Sequence, residues 1–178
     1  MIIDNEFPDF KKLDEGTLRN AIYNAETGMD DDVFTFVASV TPMVNVDLLI
    51  RDKKGGVLLA WRDDGHNYGW HIPGGIVRFK ETFEERIQKT ALEELGTTVS
   101  FDSEPVKISA ICMPYQRRGH FISFLYNCYV PDEYVIENVM TEHTSGFLQW
   151  HYEMPQLLVE GQMCYYDYLK ELLDNCIN

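Results

Sequence analysis

The chain is poor in basic residues, in long apolar runs and in cysteine arranged for metal binding. Lysine and arginine total 15 against 29 aspartates and glutamates, a formal net charge of -14 over 178 residues. A field of that sign repels phosphate backbones and anionic lipid surfaces, so neither nucleic acid nor membrane is expected as a partner. No apolar run approaches the roughly 18 residues of a membrane span, and the opening MIIDNEFPDF is acidic, without an apolar signal core. The four cysteines, Cys112, Cys128, Cys164 and Cys176, follow no CxxC or zinc spacing, which points to a reduced, cytoplasmic protein. His66, His71 and His120 match no standard zinc pattern either. Dinucleotide and Walker-type glycine fingerprints, internal repeats and low-complexity tracts are missing too. What remains is 45% hydrophobic, with ten tyrosines and ten phenylalanines, enough for one domain around a sizeable aromatic core.

Composition divides the chain near residue 32. Residues 1–32 read as a polar, acidic leader with a weak helix near Glu15 to Ala25, ended by Gly28 and the run Asp30, Asp31, Asp32; a peripheral cap or the arm of a homodimer is expected. Residues 33–178 carry the domain. Short β-rich runs are predicted at Phe34 to Val40, Met43 to Ile50, Val57 to Trp61, Trp70 to Ile72, Val106 to Met113, His120 to Val130 and Phe147 to His151. A hairpin through DKKGG joins the second and third of these. Pro155 opens a closing helix with Leu158, Met163, Tyr166, Leu169 and Leu173 at helical intervals. Strands before, between and after two helices predict an α/β fold, a mixed sheet sandwiched by helices.

The segment GGIVRFKETFEERIQKTALEELGT, Gly74 to Thr97, concentrates the chemistry. At about 100° per residue, Phe83, Ile87, Ala91 and Leu95 form one apolar ridge, and Glu94 falls inside it with Glu93 round the same side. A carboxylate on an inward stripe is costly unless a cation or hydrogen bonds compensate it. Two carboxylates converging beside a glycine turn with free carbonyls suit a hard cation such as Mg2+, with Mn2+ as its substitute, shared with substrate phosphates. The ordinary alternative is a helix surface on which Glu93 and Glu94 pair with Arg86 and Lys89.

The same residues resemble a Nudix box, G-x5-E-x7-R-E-U-x-E-E-x-G-U with U a bulky apolar residue. Gly75, Glu81, Glu93, Glu94 and Gly96 stand at its positions, while Lys89 takes the place of the arginine and Thr90 that of a glutamate. The resemblance implies a Nudix-like α/β/α sandwich, a small-molecule nucleotide substrate, and a cation held by Glu93, Glu94 and a carbonyl of the Gly74, Gly75 turn. Threonine is neither basic nor charged near neutrality, and the branch that also lacks that glutamate is the GDP-mannose mannosyl hydrolases, which attack the anomeric carbon of the sugar. TPMVNVDLLIRDKKGGVLLAWR, GWHIPGGIV and TEHTSGFLQW resemble that branch over roughly residues 34–151.

On this resemblance Asp47 and Arg62 contact substrate, His143 is the base, and Glu142 stands near the metal. Ile76 replaces an arginine for which neighbouring Arg78 substitutes, and Phe121 replaces a tyrosine. Each assignment has a plainer counterpart: a solvent histidine for His143, an outward strand residue for Asp47, a surface ion pair with Asp63 or Asp64 for Arg62, and core packing instead of substrate stacking for Trp70 and Tyr68. Hydrolysis of a nucleoside diphosphate sugar is the leading expectation. Attack at phosphorus, with Glu81 or Glu142 as base, and a catalytically impaired nucleotide-binding module stand beside it.

Overall fold

The computed structural model describes residues 14–23, 29–65, 67–116 and 119–176. Helices α1 (Glu15–Tyr23) and α2 (Asp31–Val40) precede strands β1 (Met43–Ile50), β2 (Val57–Asp63), β3 (Tyr68–His71) and β4 (Gly74–Ile76). Helix α3 (Phe83–Leu95), strands β5 (Ser100–Phe101), β6 (Lys107–Cys112), β7 (His120–Tyr129) and β8 (Leu148–His151), a 3-10 turn at Glu160–Tyr165 and helix α4 (Tyr166–Asp174) follow. The remainder of the weak leader helix, the Gly28 stop and His66 lie outside the described residues.

The expected α/β sandwich with a mixed sheet is present. Strand order β4-β1-β7-β5, with β6 also on β7, builds the larger sheet; β1 and β7 run parallel while the remaining pairs are antiparallel. A second, antiparallel sheet has the order β3-β2-β8. The DKKGG turn does form, with the Asp52 carboxylate accepting from the Lys54 and Gly56 N–H groups. The hairpin stops at a single bridge, Arg51 to Val57, because β1 and β2 then diverge into different sheets.

Alternation along the strands feeds two cores. Val46, Leu48, Ile50, Leu58 and Ala60 face Ile87, Ala91 and Leu95 of α3. Leu49, Val57, Leu59, Trp61, Trp70 and Ile72 face Tyr165, Leu169 and Leu173 on the α4 side. The ridge read from α3 is therefore the one it buries. Thr82 and Glu85 close a reciprocal capping box at its start, and Gly96 ends it in the left-handed conformation at φ 71°.

Two elements differ from expectation. Phe34 to Val40 is helical, within α2, although its β-branched and aromatic run suggests a strand. Asp30 caps the helix by accepting from Asp32 N–H, and the acidic first turn complements the helix dipole. The closing helix does not begin at Pro155. Residues 157–159 instead run beside β3, where Trp70 N–H donates to the Leu157 carbonyl and Val159 N–H to that of Trp70. The register shifts in consequence: Met163 and Tyr166 are exposed, and Tyr165 takes the buried place.

Candidate functional site

Strand β4 pairs with β1 so that Gly74 lies opposite Asp47 and Gly75 opposite Val46. The fit is too close for a side chain: a Cβ at Gly74 would collide with Asp47 Oδ1, and one at Gly75 with Thr90 Oγ1. These glycines let the turn lie flat between β1 and the inner face of α3, and Glu94 reaches it from the helix. Gly74 N–H points at Glu94 Oε1 at 3.4 Å, and His71 Nε2 is 3.7 Å from Glu94 Oε2.

The carboxylates of the segment fall into two kinds. Glu81, only 4% exposed, lies 3.1 Å from the buried Arg86 guanidinium, accepts from Lys89 Nζ at 2.9 Å and accepts from Arg78 N–H at 2.9 Å. Burial opposes its charge, but the Lys89 hydrogen bond, the Arg78 N–H and the Arg86 and Lys89 charges together hold the carboxyl below its usual range. Glu81 is thus an anchored anion, held among basic groups. Lys89, standing where the box has arginine, serves that anion. Glu93 is 57% exposed and lies 3.8 Å from Arg86. Glu94 is 24% exposed and has no lysine or arginine partner among the described residues.

Glu94 is therefore a half-buried carboxylate against the Gly74 N–H, with Glu93 next to it in the chain. Among the described residues no three His, Cys, Asp or Glu side chains converge as a ready cation cage. Two carboxylates and a carbonyl nevertheless match the donor chemistry of Mg2+, which takes one or two carboxylates and completes its shell with water and substrate phosphate. The residues fit such an ion.

The other predicted residues are placed unevenly. Asp47 is neither outward nor facing a ligand: it is buried, its Oδ2 accepting from Ser123 Oγ and from Tyr165 Oη at 3.0 Å. Burial, against the pull of those two donors, pushes its carboxyl up to about 6. It supports Gly74 from beneath instead of touching a substrate. Trp70 is also a core residue, edge-on to Trp61 at 5.2 Å and to His151 at 4.3 Å. Tyr68 remains exposed.

Ala60 stands opposite His71, and Trp61 opposite Trp70; direct opposites share a face of the sheet. Arg62, two residues after Ala60, thus belongs to the face of His71 and Glu94, its guanidinium 3.9 Å from Asp64. His143 packs on the other face, its ring 4.2 Å from that of Trp61. It is 53% exposed, 3.7 Å from Glu142, and adopts φ 64°. Its loop is nonetheless stitched to β2 on both sides of Arg62, by Gly146 N–H to the Trp61 carbonyl and by Ser145 Oγ with Asp63 N–H and carbonyl. Arg62 and His143 therefore share one rim. Arg78 is half-buried after β4. His71, weighed in the sequence only against a zinc pattern, is the residue the structure adds beside Glu94; its signal was a histidine two positions before the Pro73, Gly74 turn.

Comparison with known proteins bears on the fold and the family. The NUDIX domain family model matches residues 41–160. The low-salt glycan biosynthesis protein Agl8 of Haloferax volcanii is 38% identical over 86 residues, 48% of this chain and 54% of that protein, so the chain spans about half of that curated relative. A Nudix-family hydrolase from Clostridium perfringens superposes with a TM-score of 0.55 at 18% identity, covering 76% of this chain and 98% of its own. A UDP-X diphosphatase does so at 0.52 and 21%, covering 93% and 81%. At such identities these two structures share the fold.

Proposed function

This chain belongs to the Nudix family, and on that footing we propose that it hydrolyses a nucleoside diphosphate sugar, GDP-mannose being the leading candidate, with Mg2+ or Mn2+. The carrying observation is Glu94: a half-buried carboxylate against the Gly74 turn, with no lysine or arginine partner among the described residues. Glu93, Glu94 and a carbonyl of the Gly74, Gly75 turn hold the cation, which supplies Lewis acidity to the diphosphate. Arg62, on the same face, grips the diphosphate and stabilises charge growing on the departing nucleotide; Arg78 assists. His143 takes the proton of the water attacking the anomeric carbon, a contribution of roughly 10²- to 10⁴-fold, with Glu142 beside it. Asp47 and Trp70 fix the strands beneath. The shared rim of Arg62 and the His143 loop supports this division, diphosphate on one side and sugar on the other. Similarity to a glycan biosynthesis protein is consistent with a sugar substrate.

Attack at phosphorus is the second reading, favoured by the placement of His143 on the opposite face from Glu94. Turnover in heavy-oxygen water separates the two. Label in the sugar is the expected result; label in the phosphate product establishes attack at phosphorus. Turnover of a nucleoside triphosphate, dinucleotide or ADP-ribose in place of nucleotide sugars also establishes the phosphorus reading, and an absence of Mg2+-dependent turnover across all of these leaves a nucleotide-binding module. A homodimer formed through the acidic leader, residues 1–32, and a cytoplasmic setting belong to the same proposal; sedimentation of the full chain tests the first. No described helix is long and apolar enough to cross a membrane.

A further inference from the structure

His71 is buried on the α3 face of the smaller sheet, yet neither ring nitrogen has a hydrogen-bond partner among the described residues. An imidazole enclosed in this way loses its hydration without recompense, so a buried, unsatisfied ring calls for an explanation. Packing alone does not supply one. The residue opposite is Ala60, inside an aliphatic cluster, where an apolar side chain would carry no such penalty.

The nearest polar group is the Glu94 carboxylate, with Nε2 to Oε2 at 3.7 Å, a few tenths of an ångström beyond hydrogen-bond reach. The opposite oxygen, Oε1, faces Gly74 N–H at 3.4 Å. One carboxylate oxygen thus meets the Gly74 N–H and the other lies against the His71 ring, and no lysine or arginine among the described residues competes for them.

We propose that His71 is a positioning residue for the cation site, donating from Nε2 to Glu94 Oε2 and so fixing the rotamer that presents the carboxylate to a divalent ion at the Gly74 turn. This rests on the reading of Glu94 as a cation ligand. Outer partners of ligating groups typically contribute about 10- to 100-fold in metal affinity. His71 lies on a rigid strand and reaches Glu94 across the core, so its contribution falls at the lower end of that range.

The test is Mn2+ binding to the full-length protein without nucleotide, followed by electron paramagnetic resonance, for the wild type, His71→Phe, His71→Leu and His71→Gln. The two apolar variants should weaken Mn2+ binding about 10-fold, and Gln, which keeps a donor, should recover most of the loss. In turnover, the Mn2+ concentration for half-maximal rate should rise by the same factor while kcat falls less. Thermal melts of the cation-free proteins identify a variant that does not fold, and either remaining apolar variant then carries the comparison. Apolar variants binding within two-fold of wild type, or Gln as weak as Phe, overturn the assignment of His71 alone. A wild type that binds no Mn2+ overturns the reading of Glu94 as well.

Discussion

The box segment around α3 and the layer beneath α4 flank the same strands and treat charge in opposite ways. Around α3 charge is met by charge or by solvent: Glu81 is held below its usual range by Lys89, a backbone N–H and Arg86, and Glu94 is 24% exposed. Beneath α4 the neutral forms are favoured. Burial pushes the Asp47 carboxyl up to about 6 and the Cys164 thiol up to about 11, and pushes His151 down to about 4. The first region is where the proposed cation would meet phosphate, while the second packs beneath it. Asp47 and Glu94 show the contrast at closest range, since they approach Gly74 from its two sides.

The sharpest way to break this contrast is to remove the charge of Glu94. Glu94→Gln should lower Mg2+-dependent turnover by at least about 100-fold, since a direct ligand matters no less than its outer partners, with the thermal midpoint little changed. Steady-state rates across Mg2+ concentrations check it. Arg86→Ala comes next and acts on stability. It leaves Glu81 buried with one basic partner fewer, a loss of about 3–5 kcal/mol, or on the order of 10 °C in thermal midpoint for a chain of this size; calorimetry reads it directly.

Smaller changes test the floor. Tyr165→Phe removes one of two hydroxyl donors to Asp47 Oδ2 and should cost about 1–2 kcal/mol in urea denaturation. The acid response separates two buried groups of opposite sense. His151 binds its proton near 4 when folded against 6.5 ordinarily, so the unfolded chain holds more protons between these values and stability falls as pH drops through that window. Asp47 titrates near 6 when folded against 3.8 ordinarily, so its contribution is present below 3.8 and lost as pH rises through about 6. The slopes oppose each other. Thermal midpoints of cation-free protein between pH 4 and 6.5 should rise with pH in Asp47→Asn and fall with pH in His151→Phe.

How far the molecule can be read from its residues follows the same contrast. The α3 ridge, its capping and the place of Glu94 are local consequences of a 3.6-residue period and a glycine turn, so the segment from Gly74 to Thr97 declares them. The role of Glu81 is local too, but it depends on Arg86 folding inward, which charge alone does not show. The helix over Asp31–Val40 was hidden because aromatic and β-branched residues favour strands until an aspartate cap decides otherwise. Asp47 looked like an outward residue because its partners, Ser123 and Tyr165, lie 76 and 118 residues away. The split of β1 and β2 into two sheets, the displacement of the last helix by residues 157–159, and the meeting of His71 with Glu94 are likewise tertiary. No pattern within a single element encodes them.

The proposed function requires a cation bound between Glu94, Glu93 and the Gly74 turn, and Mn2+ titration of the wild type beside Glu94→Gln and Glu81→Gln, each shown to be folded, tests it most directly. Binding that is lost in Glu94→Gln and survives in Glu81→Gln is the predicted result. Equal Mn2+ affinity in wild type and Glu94→Gln would contradict it.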